Sequence, residues 1–182
     1  MGRVSVLLVS GSTRAGSTNT AVLRTAAALD PAGTAWAPGL AELPAFDPDL
    51  DRDPLPTAVA ALRSGLAAAS GVLLCTPEYA GALPGAMKNL LDWAVGAPAM
   101  DGKPVGWVNV ASVAAPTGAA GAHQELRTVF GYLGSRVLAD ACHRVPLSRD
   151  DVGADGLVAA PALRDALTAA LAALSVSGAA NG

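Results

Sequence analysis

The chain has 182 residues, a formal net charge of -3, and a hydrophobic fraction of 52%. This length suits one domain with a full core, and the mild charge lacks the basic footprint of a nucleic-acid-binding protein. No apolar run reaches the roughly 18–20 residues that a bilayer crossing needs, and the two cysteines form neither a disulfide framework nor a metal site. We therefore expect a cytoplasmic protein with no membrane span, no nucleic-acid partner and no bound metal.

A hydroxyl-rich loop, residues 10–19, connects an apolar strand at 4–9 to a predicted helix at 20–29. The free N–H groups at the start of a helix attract anions, and hydroxyls and a guanidinium add donors. Helix capping alone would explain one of these side chains but not the whole set. The loop therefore predicts a phosphate site, whose candidate residues are Ser12, Thr13, Arg14, Ser17, Thr18 and Asn19.

Further along, residues 34–37 predict a weak strand near a sheet edge, and the Pro- and Asp-rich stretch 38–56 predicts a surface connection. A helix from Thr57 precedes a buried strand at 71–76. This strand runs into the loop 77–83, whose composition differs from that of a simple turn.

Pro84 suits the first position of the next helix, and its apolar residues recur at helical spacing. Trp93 lies off this apolar stripe. It therefore predicts either peripheral packing or a contact with another subunit, since an exposed tryptophan is costly unless it is covered.

The last part of the chain predicts a strand at 103–113, a loop of small residues at 114–121, a helix, a final strand beginning at 136–138, and a closing helix at 161–174. The chain is thus expected to form one domain over 1–175, followed by a flexible tail at 176–182. Strands that alternate with helices predict a mostly parallel sheet with helices on both faces.

Three loops follow strand ends, at 10–19, 77–83 and 114–121, and we call them the first, second and third loops. In parallel sheets ligands bind beyond the carboxyl ends of the strands, so the three loops should share one rim. The first would hold a phosphate, and the second could lie against a flat ring. The third would let a ligand edge approach the backbone, although its small residues also follow from an alanine- and glycine-rich composition. Flavin mononucleotide (FMN) fits this combination best.

The sequence resembles the NAD(P)H-dependent FMN reductases of the flavodoxin-like fold. The first match is Gly11-Ser12-Thr13-Arg14 with Ser17 and Asn19, which resembles the phosphate loop of that family. The second is Pro77-Glu78-Tyr79-Ala80-Gly81 with the helix after Pro84, which resembles the flavin-ring loop. A weaker third match is formed by Gly118, Gly121, Gln124, Leu126 and Arg127.

The resemblance implies a three-layer fold with a five-stranded parallel sheet in the order 2-1-3-4-5. It implies an enzyme in which FMN accepts hydride from NAD(P)H and passes it to free flavin, a quinone, an azo compound or a metal oxyanion. The flavin carries the chemistry, so no protein residue is expected to be catalytic. The implied assembly is a homodimer or homotetramer. The implied cofactor-binding residues are those of the first loop together with Pro77, Glu78, Tyr79, Ala80, Gly81, Ser112 and Gly118.

The sequence departs from the family at three positions. Ala80 stands where asparagine is usual, and Ala82 where serine is frequent. Ala120 replaces one glycine of a usual pair, so its methyl group could narrow the space beside the ring.

Two other functions remain open at this stage. A flavodoxin-type electron carrier would take electrons from a partner protein, but Arg14 and the mild charge disfavour it. A flavin-free regulator that keeps the fold is the other alternative.

Overall fold

The computed structural model of the protein describes residues 5–112 and 114–179. Its sheet has five parallel strands in the order β2-β1-β3-β4-β5, which confirms the predicted class and strand order. The strands are β1 (Ser5–Ser10), β2 (Thr34–Trp36), β3 (Ala69–Cys75), β4 (Pro104–Asn109) and β5 (Arg136–Arg144). The helices are α1 (Thr18–Leu29), α2 (Thr57–Ala68), α3 (Gly85–Val95), α4 (Ala120–Tyr132) and α5 (Pro161–Ala179).

The sheet carries a separate apolar core on each face, because successive residues of a strand point to opposite sides. Leu7 and Val9 of β1 pack with side chains of α2, α3 and α4. Val6 and Leu8 of the same strand pack with side chains of α1 and α5. Both faces of the sheet are therefore covered, as parallel sheets require.

Several element ends differ from those predicted. Strand β5 continues to Arg144, although only its start was predicted. It is an edge strand with many exposed residues, so its sequence lacks the continuous apolar run by which a buried strand is recognised. Helix α5 continues to Ala179, beyond residue 174, where the sequence predicted its end. Strand β4 ends at Asn109, and Val113, where we expected that strand to end, lies outside the described residues.

Trp93 is fully buried, which contradicts both peripheral packing and a subunit contact. Its indole N–H donates to the carbonyl of Pro44 at 2.9 Å, and its ring meets Phe46 edge to face at 4.9 Å. The apolar spacing of α3 does not predict the burial of Trp93, because the residues that cover it, Pro44 and Phe46, come from the connection between β2 and α2. That connection is therefore anchored to the core.

Within the described residues, no helix combines the length and the apolar character that a membrane span requires.

Candidate functional site

A cavity of about 410 Å³ lies at the carboxyl ends of the strands. Four segments line it, each of which follows a different strand of the parallel sheet. The lining residues are Thr18 and Asn19 after β1, Thr76, Pro77 and Glu78 after β3, Val110, Ala111, Ser112, Ala115, Pro116, Thr117 and Ala119 after β4, and Leu147, Ser148 and Arg149 after β5. The three predicted loops therefore do converge on one space.

The first and second loops begin side by side. The N–H of Gly11 donates to the carbonyl of Cys75 at 2.9 Å, which extends the pairing of β1 and β3 by one bond. A Cβ at position 11 would overlap the side chain of Thr76, so only glycine fits this close approach. Burial raises the pKa of the Cys75 thiol, so the thiol stays protonated and unreactive.

The first loop leaves its central side chains in solvent. Thr13 and Arg14 are exposed, and the backbone N–H of Arg14 donates to the Ser12 hydroxyl at 3.3 Å. Ser17 is the N-cap residue of α1 in an extended conformation, yet its hydroxyl makes no capping hydrogen bond. The Ser17 hydroxyl is thus not used to cap the helix.

The second loop contains a tight turn from Tyr79 to Ala82. Each of these two residues donates its N–H to the carbonyl of the other, at 3.0 and 3.1 Å. The two central residues have left-handed backbone angles, with φ of 53° at Ala80 and 79° at Gly81. Because asparagine tolerates this region better than alanine, the asparagine usual at position 80 is explained by the turn itself.

Glu78 connects the second loop to the third. Its carboxylate accepts hydrogen bonds from the hydroxyl of Thr117 and from the N–H of Ala122, the latter at 3.1 Å. These bonds, led by the one from Thr117, lower the pKa of Glu78. The carboxylate therefore lies at the N-terminal end of α4, where a negative charge is favourable.

The backbones of the two loops also touch directly. A Cβ at Gly121 would overlap the carbonyl of Gly81 and would lie 3.1 Å from the Glu78 carboxylate. Ala120 is exposed and does not line the cavity, so its methyl group does not narrow the site. Of the two glycines that are usual in the family, this structure therefore requires only the second, Gly121, because of its contact with Gly81.

Asn109 holds the third loop from the sheet side. Its side-chain carbonyl accepts from the N–H of Ala111 at 2.8 Å, and its amide donates to the carbonyl of Gly118, also at 2.8 Å. One buried amide thus connects Ala111, before the third loop, to Gly118 within it, and holds Gly118 near, but not in, the cavity wall.

His123 lies behind the third loop, with its ring stacked on Trp107 at a centroid distance of 5.7 Å. Its Nδ1 lies 3.2 Å from the amide of Asn109, and its buried Nε2 has no hydrogen-bond partner among the described residues. Burial, with a smaller contribution from the charge of Arg127, lowers the pKa of His123. The neutral imidazole is therefore the form that this structure favours.

Of the predicted site residues, five line the cavity: Thr18, Asn19, Pro77, Glu78 and Ser112. The other eight lie on the same loops but do not line it: Ser12, Thr13, Arg14, Ser17, Tyr79, Ala80, Gly81 and Gly118.

The sequence interpretation missed the segment Leu147–Arg149. It follows β5, so the rule applied to the other three strands also holds for it. The sequence analysis identified only the start of β5, at 136–138, so it did not locate the loop that follows this strand. Ser148 is fixed by two hydrogen bonds to the Asp151 carboxylate, at 2.6 Å from its N–H and 2.8 Å from its hydroxyl.

The cavity fits FMN in size and chemistry. Its volume lies within the range of about 300–1,000 Å³ that is usual for small-molecule sites. One end has hydroxyl and amide side chains at the start of α1, and the segment after β4 adds the Ser112 hydroxyl and the small apolar residues of the third loop.

Comparison with known proteins agrees with this description. The family model described as NADPH-dependent FMN reductase matches residues 4–146. A quinone reductase of Escherichia coli strain K12 is 33% identical over 141 residues, which cover 75% of this chain and 74% of that protein.

Two solved structures share the fold. The flavoenzyme NAD(P)H:acceptor oxidoreductase FerB of Paracoccus denitrificans superposes with a TM-score of 0.80 at 24% identity, over 98% of this chain and 99% of that one. A flavodoxin mutant from Pseudomonas aeruginosa gives 0.59 at 20% identity, over 96% and 98% of the two chains.

With its flavodoxin-like sheet, its three converging loops and a match that spans most of its length, the chain belongs to the NADPH-dependent FMN reductase family.

Proposed function

We propose that this protein is an oxidoreductase that uses FMN in the 410 Å³ cavity to pass hydride from NAD(P)H to a small acceptor. The observation that carries the proposal is the convergence of the three predicted loops on one cavity in a member of this family. A quinone is the acceptor class that we favour, because the relative from Escherichia coli is named a quinone reductase.

The first loop would hold the phosphate group of FMN. Thr18 and Asn19 reach the cavity wall, and Arg14 stands exposed on the preceding loop with a side chain that can fold onto an anion. Ser12, Thr13 and Ser17 would add hydroxyl donors around it.

The second and third loops would hold the ring. Pro77 offers an apolar surface in the cavity wall, and the turn at Ala80 and Gly81 would present backbone groups. Ser112 and the small residues after it form the facing wall.

Bound FMN supplies the hydride acceptor and donor, while the protein supplies binding and orientation. We assign no acid or base role to Glu78, because Thr117 and Ala122 already bind its carboxylate. The site is thus built to position a ring rather than to move protons.

The protein would act in the cytoplasm as a homodimer or homotetramer. This assembly rests on the resemblance to the family, and Tyr132, which is 91% exposed, and Val95, which is 66% exposed, are side chains that a subunit contact would cover. Light scattering of the purified protein would measure its mass in solution, and a monomer would contradict this part of the proposal.

The decisive experiment mixes the purified protein with FMN, NADPH and a benzoquinone and follows the near-ultraviolet absorbance of NADPH. We expect oxidation that requires protein, FMN and quinone together. Binding of FMN without NADPH oxidation would favour the flavodoxin-type carrier. A protein that does not bind FMN at all would favour the flavin-free regulator.

A further inference from the structure

We propose that two glutamates, Glu78 and Glu125, are positioning residues that set the distance between the second and third loops, and so the width of the slot for the flavin ring. The proposal rests on the function proposed above. In this role the two carboxylates bind N–H and hydroxyl groups of the protein and not the ligand.

The two carboxylates cross the same gap in opposite directions. Glu78 extends from the second loop to the N-terminal turn of α4, where it accepts from Ala122 at 3.1 Å and from Thr117. Glu125 extends from α4 back to the second loop, where it accepts from the N–H of Leu83 at 2.7 Å. We call these hydrogen bonds the carboxylate bridges.

The bridges lie on both sides of the tight turn in the second loop, next to Pro77 and Glu78 of the cavity wall. Glu78 and Leu83 lie immediately outside the Tyr79–Ala82 turn, so both ends of this turn are tied to the same helix. Between the two ends, the carbonyl of Gly81 packs against Gly121. With both ends fixed, the turn cannot move away from α4 unless a bridge breaks.

The two glutamates differ in one useful respect. Glu78 lines the cavity, whereas Glu125 does not. An effect of Glu78 on FMN binding could come from direct contact, but an effect of Glu125 must come through the position of the loops.

Charge makes these bonds stronger than neutral ones, because a carboxylate accepts from an N–H about twice as strongly as a neutral oxygen does. In Glu78→Gln, the side chain keeps its shape and one acceptor, but an amide NH₂ group replaces the other acceptor. The remaining oxygen can still accept from Ala122 while the NH₂ group donates to the Thr117 hydroxyl, so the bridge loses the negative charge of its acceptor and is weakened without a change in size.

The experiment compares Glu78→Gln, Glu125→Gln and the control Glu42→Gln. Glu42 also accepts from a backbone N–H, that of Gly39 at 2.7 Å, but it does not line this cavity. Three quantities are measured: amide hydrogen exchange without FMN, the Kd for FMN, and the visible circular dichroism of bound FMN. Far-ultraviolet circular dichroism verifies that each variant is folded.

We expect Glu78→Gln to speed exchange at Ala122, and Glu125→Gln to speed it at Leu83, by about three- to tenfold each. Each should raise the Kd for FMN by a similar factor and change the circular dichroism of the flavin. Glu42→Gln should speed exchange at Gly39 alone and leave the Kd unchanged.

Three results would overturn the proposal. Unchanged exchange in both variants would show that the bridges do not hold the loops. Faster exchange with an unchanged Kd would show that they hold the loops without setting the slot. A raised Kd in Glu78→Gln alone, with unchanged exchange, would make Glu78 a direct ligand contact. If the wild-type protein does not bind FMN, the proposed function fails, while the exchange rates still decide whether the bridges exist.

Discussion

The first loop and the pair formed by the second and third loops differ in what their polar groups bind. The exposed Arg14 leaves its guanidinium in solvent, whereas Glu78 and Glu125 are both bound to backbone N–H groups. The proposed phosphate side of the site thus leaves the Arg14 guanidinium exposed, whereas on the proposed ring side the two carboxylates bind groups of the protein itself. A charged ligand group needs free donors, but a flat ring needs two surfaces at a fixed separation.

Gly121→Ala is expected to have the largest effect, because it disrupts the contact between the second and third loops. The added Cβ would overlap the Gly81 carbonyl, so the second and third loops must move apart. We expect the free energy of unfolding to fall by about 1–3 kcal/mol, and FMN binding to weaken by about 100-fold or more. Chemical denaturation and FMN titration measure the two effects.

The matched control is Gly131→Ala in the same helix, where a new Cβ meets nothing within 4 Å. This substitution should stabilise the protein by about 0.5–1 kcal/mol and should not affect FMN binding. Equal FMN affinities in the two variants would show that the contact between the loops is unimportant.

Arg14→Ala tests the phosphate side. Loss of a charged hydrogen bond costs about 1.5–3 kcal/mol, so we expect the Kd for FMN to rise by about 10- to 100-fold. Hydride transfer at saturating FMN should slow much less, as stopped-flow absorbance would show. Arg52→Ala, which changes another exposed arginine that does not line the cavity, should bind FMN normally. An unchanged Kd in Arg14→Ala would remove Arg14 from the site.

Ala80→Asn should strengthen the turn of the second loop. Ala80 has a φ of 53°, which an L-residue adopts at a cost and asparagine tolerates best among residues other than glycine. We expect the free energy of unfolding to rise by about 0.5–1 kcal/mol in a thermal or urea melt. Ala80→Val is the opposite control, since a β-branched residue is strained there. Equal stability of the two variants would contradict the explanation.

The smallest expected effect concerns pH and His123. Burial lowers its pKa below the ordinary 6.5, so as pH falls the unfolded chain takes up the proton before the folded protein does. Stability should therefore decrease as pH falls from 6.5 toward the lowered pKa. Glu78 opposes this shift, and Arg127 and Arg144 reinforce it.

His123→Phe keeps an aromatic ring on Trp107 but cannot take up a proton. The variant should show a shallower loss of stability across that pH window, measured by urea unfolding in matched buffers. An identical slope in the wild type and the variant would show that His123 does not titrate in this range.

Local sequence patterns were sufficient for most of the fold. The apolar runs at β1, β3 and β4 and the amphipathic helices indicated alternating strands and helices, from which a mostly parallel sheet was expected and confirmed. The strand order was implied by the family resemblance and is also confirmed. The edge strand β5 was only partly found, because an exposed edge does not need an apolar sequence. Trp93 was misread because its covering surface comes from a connection far away in sequence.

The sequence by itself determined that three loops follow parallel strands, because strand direction fixes which ends share a rim. It also determined which side chains those loops offer, from Arg14 in the first to Glu78 in the second. Only the tertiary structure decided how these side chains are used. The Glu78 carboxylate binds the N-terminal turn of α4, the Glu125 carboxylate binds the N–H of Leu83, and Arg149 lines the cavity. Each of these placements depends on segments that meet only when the chain is folded.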